Sequence, residues 1–311
     1  MQRSLSSILV VGTIRNGERI LAKEIYRCLK SLKEFQNVSF YIVESDSSDH
    51  TAKVLHDLKR EIKNFNYIEM GEVRRKLPEQ YERIAYCRNE YVRYIRNLDT
   101  CESPDYVMVV DLDGMNSALN NKSISSCFDR DDWDAVTANQ SFGYYDILAL
   151  RCNNWQVNDW RDDHQFYRDN LVNSVFVKSF YPKKIKRYFD LDKTKYLAIY
   201  SKMVRIPKSH DWIEVISGFG GAAIYKKEVF LKFDYSKVSD TKEIDHVILN
   251  RKLTQSGGKI FINPYFINSH INIYNINKIF LVRTIRELIW NSELIYNSKL
   301  YKRLKNLKFY T

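Results

Sequence analysis

Asp111 and Asp113 are the residues of this chain whose type and spacing most directly suggest chemistry. They follow Tyr106-Val-Met-Val-Val110, an apolar run that reads as a fully buried strand. The two carboxylates therefore fall at the C-terminal edge of a strand, where open α/β sheets bind ligands. Residues i and i+2 of an extended chain project to the same side, so both acids can reach one ion or its water shell. Hard divalent cations take oxygen ligands and, in phosphate chemistry, use one or two carboxylates with substrate phosphates. Left without a cation, the two charges would repel each other. The pair thus reads as a metal–diphosphate site.

Other groups fall into place around it. Ser45-Asp46-Ser-Ser-Asp49 follows a second apolar segment, and Asp46 there can accept hydrogen bonds from a ribose or base, or simply help to cap the next helix. Arg83 and Arg88 precede the aspartate strand on a helix and could meet a diphosphate, with a solvated helix face as the plain alternative. Ser217-Gly-Phe-Gly-Gly221 marks a place where backbone approaches something closely or takes positive φ. Glu243-Ile-Asp245-His246 opens a helix. Its acids suit the helix dipole, and Asp245 or Glu243 could also orient or deprotonate an acceptor hydroxyl. His270 follows the last strand and is a residue type common among metal ligands.

The elements that must position these groups alternate between strand and helix. Strands are expected at 8–11, 38–43, 106–110, 133–139 and 259–262, with another inside 213–225. Helices are expected from Ile20 to Leu32, over 52–62, over 84–98 and over 245–254. Such alternation implies an α/β fold with a mostly parallel central sheet flanked by helices. Residues 140–210 are irregular and rich in Trp, Tyr and charge; Tyr144, Tyr145, Trp155 and Trp160 could stack on sugar faces or equally pack a core. With 10 Gly and 5 Pro in 311 residues, no flexible hinge divides the chain. One catalytic domain is expected over 1–274, followed by a basic amphipathic helical tail over 275–311.

Charge and cysteine content narrow the class. The net charge of +11 favours anionic partners, but +6 of it lies in the tail, where eight Lys/Arg face Glu287 and Glu293. The remaining +5 over 274 residues is unremarkable, and no nucleic-acid motif is present, so a nucleic-acid partner is not expected. Five scattered cysteines without a C-x-x-C pair argue against a disulfide framework or structural zinc and for a reducing, cytoplasmic location. No N-terminal leader is expected, and no stretch reaches the roughly 18 apolar residues that span a bilayer. The tail suits the anionic inner face of a membrane, and equally suits packing on its own domain or on a second subunit.

Taken in order, "TIR" at 13–15, "ESDSSDHT" at 44–51, "DLDG" at 111–114, "SGFGGAAIY" at 217–225, "EIDH" at 243–246 and His270 resemble a nucleotide-sugar glycosyltransferase of the GT-A fold. With "RIAYCRN" (83–89), "TANQ" (137–140) and "YYDILALR" (144–151), the chain is similar to the capsule-associated mannosyltransferase family and its bacterial relatives. The resemblance covers about residues 8–272. It implies Mn2+ or Mg2+ on the DxD pair Asp111 and Asp113, with His270 able to complete the metal shell. It implies contacts to a UDP- or GDP-linked sugar donor from Thr13, Arg15, Glu44, Asp46, Arg83, Arg88 and Asp111, and from the loop glycines Gly218, Gly220 and Gly221. Asp245 is implied on the side of a saccharide or lipid-linked saccharide acceptor, as in the assembly of a capsule, lipopolysaccharide or other surface polysaccharide. The family pattern often has Cys-Glu-His where this chain has Ile244-Asp245-His246, an acid shorter by one methylene.

If the transfer inverts, Asp245 or Glu243 is the expected base; if it retains, to which the resemblance leans, none is needed. A nucleotidyltransferase would also pair carboxylates with metal and phosphates. It would need a Gly-rich basic loop after the first strand, of which Gly12-Thr-Ile-Arg-Asn-Gly17 is a poor version. A non-enzymatic nucleic-acid-binding protein is the rival from another class.

Overall fold

The computed structural model describes residues 5–99, 103–171, 193–237, 243–279 and 282. In chain order its early elements are β1 (Leu5–Ile14), α1 (Leu21–Ser31), β2 (Phe35–Glu44), α2 (Thr51–Glu61), β3 (Phe65–Glu69), α3 (Val73–Lys76), α4 (Gln80–Arg96) and β4 (Tyr106–Val110). Then come α5 (Asn121–Ser125), β5 (Ala135–Gln140), α6 (Trp160–Leu171), β6 (Ile213–Val215), β7 (Ala222–Lys226), the helix Asp245–Gln255 and β8 (Ile260–Ser269).

The strands form one mixed eight-stranded sheet in the order β3-β2-β1-β4-β7-β5-β8-β6. β1 runs parallel to β2 and β4, with Val11 opposite both Tyr41 and Val109. β3 continues the parallel half beside β2, and β5 runs parallel to β8. β7 is antiparallel to both its neighbours, and β6 is antiparallel to β8. The α/β class and helix-flanked sheet expected from the alternation are therefore observed.

Unbroken apolar runs make strands covered on both faces. Ile8, Val10, Ile42, Met108 and Val110 join the core cluster that includes Leu21, Ile25 and Leu32 of and beside α1. Leu9, Val11, Val107 and Val109 are equally buried on the opposite face. There α4 lies against β1 and β2 and turns Tyr91, Val92 and Ile95 inward. α1 buries Leu21, Ile25 and Cys28 at helical spacing, as its periodicity requires.

By compactness the chain falls into two units. One unit comprises Met1–Asp159 with Arg205–His270, and the other comprises Trp160–Val204 with Ile271–Thr311. The first unit carries the whole sheet. In the second, His164 Nε2 lies 3.1 Å from Thr194 Oγ1, and Lys202 pairs with Asp163 at 2.5 Å. Apart from residues 275–279 and 282, the expected basic tail lies outside the described residues. The described cysteines Cys28, Cys87, Cys127 and Cys152 are buried and free. No helix among the described residues is long and apolar enough to cross a membrane.

Candidate active site

Three segments far apart in sequence converge on the carboxyl end of β4. β4 delivers Asp111 and Asp113 immediately after Val110. β7, being antiparallel, starts there, with Ala222 opposite Val110, so the preceding glycine loop lies beside the aspartates. The Asp111 N–H donates to the Gly221 carbonyl at 2.9 Å. α4 and the helix Asp245–Gln255 add Arg88 and Asp245, whose Nε and Oδ2 form an ion pair at 2.5 Å. Arg88 Nη2 also lies 3.5 Å from Asp111 Oδ1. The acidic pair, the glycine loop, Arg88 and Asp245, proposed separately from sequence, thus form one site.

The glycines are required by geometry. Gly220 and Gly221 have φ of 69° and 82°, in the left-handed region. A Cβ on Gly220 would stand 2.5 Å from the Ala138 carbonyl oxygen, and one on Gly221 would stand 2.7 Å from the Tyr145 hydroxyl. Gly218 meets only ordinary to tight contacts with Tyr144 and Thr137. Tyr144 is fully buried and takes the Phe219 N–H on its hydroxyl at 3.2 Å, so it serves the loop as packing.

Beneath the loop lies a network of amides that no sequence pattern announced. Gln140 Nε2 donates to the Gly220 carbonyl (2.8 Å) and to Asn268 Oδ1 (2.9 Å). Asn268 Nδ2 donates to the same carbonyl (2.9 Å) and to Asn116 Oδ1 (3.3 Å). Asn116 Nδ2 in turn donates to the Asp111 carbonyl (2.7 Å) and to Glu24 Oε2 (3.0 Å). All four side chains are fully buried. Satisfied polar networks in a low-dielectric interior fix a unique geometry, and this one clamps the backbone of Asp111 to that of Gly220.

Exposure separates the two acids that contact Arg88. The Asp111 side chain is 32% exposed, whereas that of Asp245 is 6% exposed, as is that of Arg88. Burial of its surroundings and then the charge of Asp113 push the Asp111 carboxyl well above the usual carboxylate range, with Arg88 pulling the other way. Burial likewise raises Asp245, and Arg88 offsets part of that rise. Burial works against the Arg88 charge too, but Asp245 and its other acidic neighbours outweigh it and hold the proton more firmly than usual. The guanidinium lies between the rings of Phe219 and Tyr235, 5.5 and 5.7 Å from their centroids.

Two residues went unassigned in the sequence. Asp146, inside the "YYDILALR" segment, accepts the Gly220 N–H on Oδ2 at 3.0 Å and the Ala149 N–H on Oδ1 at 3.2 Å. Burial raises its carboxyl, and the Asp245 charge adds to the rise. His246 stacks on Phe219 with ring centroids 3.6 Å apart, and neither of its ring nitrogens has a hydrogen-bond partner among the described residues. Burial, then the Arg88 charge, push its pKa far below the ordinary imidazole value, so it sits there neutral.

The remaining sequence candidates lie elsewhere on the first unit. Asp46 takes a left-handed conformation (φ 57°) at the end of β2; its Oδ1 accepts the Arg74 N–H at 2.9 Å and its Oδ2 lies 3.8 Å from Arg83 Nε. Arg83 Nη1 donates to the carbonyls of Leu77 and Pro78, each at 2.9 Å. Arg83 and Arg88 are therefore both committed to partners within the chain. Thr13 and Arg15, half-buried, flank Ile14, which is in register with the buried Glu44; Glu44 accepts the Ser47 N–H at 2.9 Å. Glu243 pairs with Arg251 at 2.9 Å. His270 is exposed, its Nδ1 2.7 Å from Ser141 Oγ.

Among the described residues no group of three or more His, Cys, Asp or Glu is arranged to hold a metal. The pair itself fits a divalent cation: two hard oxygen donors, one of them open to solvent, whose mutual repulsion Arg88 only partly offsets. Such a site leaves most of the cation's coordination to water and to ligand phosphates.

No protein-family model and no curated protein matches this chain. Its fold is similar to that of several solved structures. One is the mannosyltransferase PcManGT from Pyrobaculum calidifontis in complex with GDP-Man and Mn2+. It has 13% identity and a TM-score of 0.49, over 98% of this chain and 72% of that one. Another is S. aureus TarS 1–349, with 11% identity and a TM-score of 0.41, over 97% and 69%. A third is glucosyl-3-phosphoglycerate synthase from Mycobacterium tuberculosis, with 11% identity and a TM-score of 0.34, over 85% and 67%. At these identities the likeness lies in chain path and assigns no chemistry.

Proposed function

We propose that this protein is a GT-A type glycosyltransferase that moves a hexose from a nucleoside-diphosphate sugar to a saccharide acceptor, using Mn2+ or Mg2+. The observation that carries this reading is the partly exposed Asp111–Asp113 pair, joined through one hydrogen bond to the glycine loop and through Arg88 to Asp245. A bound cation would neutralise the departing diphosphate, a task that needs no protein nucleophile. Asp111 and Asp113 would hold it. Asp46, just past β2 and held by the Arg74 N–H and Arg83, would fix the turn that faces the nucleotide, while the fixed backbone of Gly218–Gly221 would border donor and acceptor.

The state of the two candidate bases favours retention of anomeric configuration. Asp245 is enclosed and ion-paired with Arg88, and Glu243 is ion-paired with Arg251. A base must reach the proton it removes. With both acids occupied, the leaving phosphate is the better-placed acceptor of that proton. Synthesis of a surface polysaccharide or lipopolysaccharide fits the acceptor class, and the basic segment 275–311 would bring the protein to an anionic membrane surface.

Incubation with UDP- and GDP-sugars, with and without Mn2+, tests the reading. Metal-dependent release of free nucleoside diphosphate is expected. Formation of nucleoside triphosphate and sugar 1-phosphate only when pyrophosphate is added would instead indicate a nucleotidyltransferase, and no turnover of any donor would remove the proposal.

A further inference from the structure

Arg88 is set between the two halves of the site in a way that a ligand-gripping arginine is not. Its Nε faces Asp245 at 2.5 Å, its Nη2 faces Asp111 at 3.5 Å and its Nη1 lies 3.5 Å from the Tyr91 hydroxyl. Phe219 and Tyr235 cover the guanidinium, and α4 holds the stem. Two carboxylates pair with this one cation, the partly exposed Asp111 and the enclosed Asp245, and Asp146 lies near enough to feel its charge. All three guanidinium nitrogens face groups of the chain itself. A diphosphate could reach this group only if the aromatic cover and both ion pairs were displaced.

We infer that Arg88 is a positioning residue, a built-in counter-cation shared by the metal-side carboxylate Asp111 and the acceptor-side carboxylate Asp245. This deepens the metal-dependent reading above and rests on it. Because the charge is shared, whatever changes on one side alters how strongly the other attracts a cation. Removing Arg88 leaves Asp111 and Asp113 more negative, so they should hold a divalent cation more tightly. Removing the Asp245 charge leaves Arg88 to bear on Asp111 alone, so they should hold it less tightly. An arginine whose role was to bind diphosphate would behave differently: its loss would weaken nucleotide binding and leave the affinity for the bare cation unchanged.

The test is titration of the full chain with Mn2+, read by electron paramagnetic resonance, without nucleotide and then with UDP or GDP. Wild type, Arg88→Met, Arg88→Lys and Asp245→Asn are compared. The expected result without nucleotide is affinity about tenfold tighter in Arg88→Met and several-fold weaker in Asp245→Asn, with Arg88→Lys near wild type because the charge is kept. Unchanged or weaker Mn2+ binding in Arg88→Met overturns the inference. Should that variant fail to fold, Asp245→Asn decides alone, and wild-type affinity in it has the same consequence. Wild-type protein that binds no Mn2+ with or without nucleotide overturns the metal reading itself; wild type that binds, with variants that do not shift, overturns only the role of Arg88.

Discussion

From β3 to β4 the sheet is wholly parallel, and its carboxyl edge ends in charge: Glu69, Glu44 with Asp46, and Asp111 with Asp113. From β7 to β6 it is mixed, and what lies at the same edge is mostly uncharged: the glycine loop before β7, Gln140 at the end of β5, Asn268 near the end of β8. In the first half the Asp111 side chain is open to an ion, whereas Glu44 and Asp46 are enclosed and bonded within the chain. The second supplies buried amides that meet only each other and the backbone. Charge is costly to bury and amides less so, so the open acid suits an ion and the buried amides suit rigidity.

The sharpest break of that contrast is to remove one charge from the reactive half. Asp111→Asn or Asp113→Asn should lower donor turnover by on the order of 10^2–10^3-fold. Because each carboxylate repels the other, the melting temperature should stay level or rise. Steady-state kinetics beside a thermal melt read both effects, and wild-type turnover in either variant would remove the metal role.

The converse change is made in the rigid half. Asn268→Leu takes a donor from the Gly220 carbonyl and from Asn116 and an acceptor from Gln140. Leaving buried partners unsatisfied costs about 2–3 kcal/mol. Denaturant unfolding should show that loss. A stability within 0.5 kcal/mol or so of wild type, the usual range for a surface change, would mean that the network is incidental.

His246 tests the boundary between the halves by pH. Its folded pKa is depressed, chiefly by burial, so the unfolded chain binds its proton first as pH falls below about 6.5. Stability from neutral His246 is therefore complete above that pH and is lost below it. The raised carboxylates of Asp111, Asp146 and Asp245 act in the opposite sense, since they gain protons more readily folded than unfolded. Comparison with His246→Phe isolates the histidine. The melting temperature of wild type should fall more steeply from pH 7 to 5.5 than that of the variant, and parallel curves would show that His246 does not titrate with unfolding.

What could be read from sequence follows the same division. Val107–Val110 and Ile8–Val11 announce themselves because strands buried on both faces need unbroken apolar runs, and the acids that end β4 stand out against such a run. β3 did not announce itself: Phe65–Glu69 lies at the sheet edge, mostly half-buried, and mixes polar with apolar residues. β8 was expected to stop at Ile262 but extends through Asn263 and Pro264 to Ser269. The register shifts beside Asn139, which interrupts the ladder where Pro264 has no N–H to give, and Asn139 Nδ2 donates to the Pro264 carbonyl at 3.1 Å. Asn116, Gln140 and Asn268 are polar, and polarity in one dimension reads as loop; that they are buried partners is a property of the folded chain. The pairing of Arg88 with Asp245, 157 positions apart, is equally invisible until the helices pack.

The finest division lies within one motif, between Glu243 and Asp245. Both were candidate bases, two residues apart. Asp245 is enclosed with Arg88, whereas Glu243 pairs with Arg251, whose side chain is well exposed. Ion pairs open to solvent contribute about 0–1 kcal/mol. Glu243→Gln should therefore cost under about 1 kcal/mol in a denaturation curve and change turnover less than threefold or so, since 1.4 kcal/mol is tenfold. A loss of 10^2-fold or more, with product of inverted configuration, would make Glu243 the base. Unchanged turnover here, together with product of retained configuration, would place the proton on the departing phosphate instead.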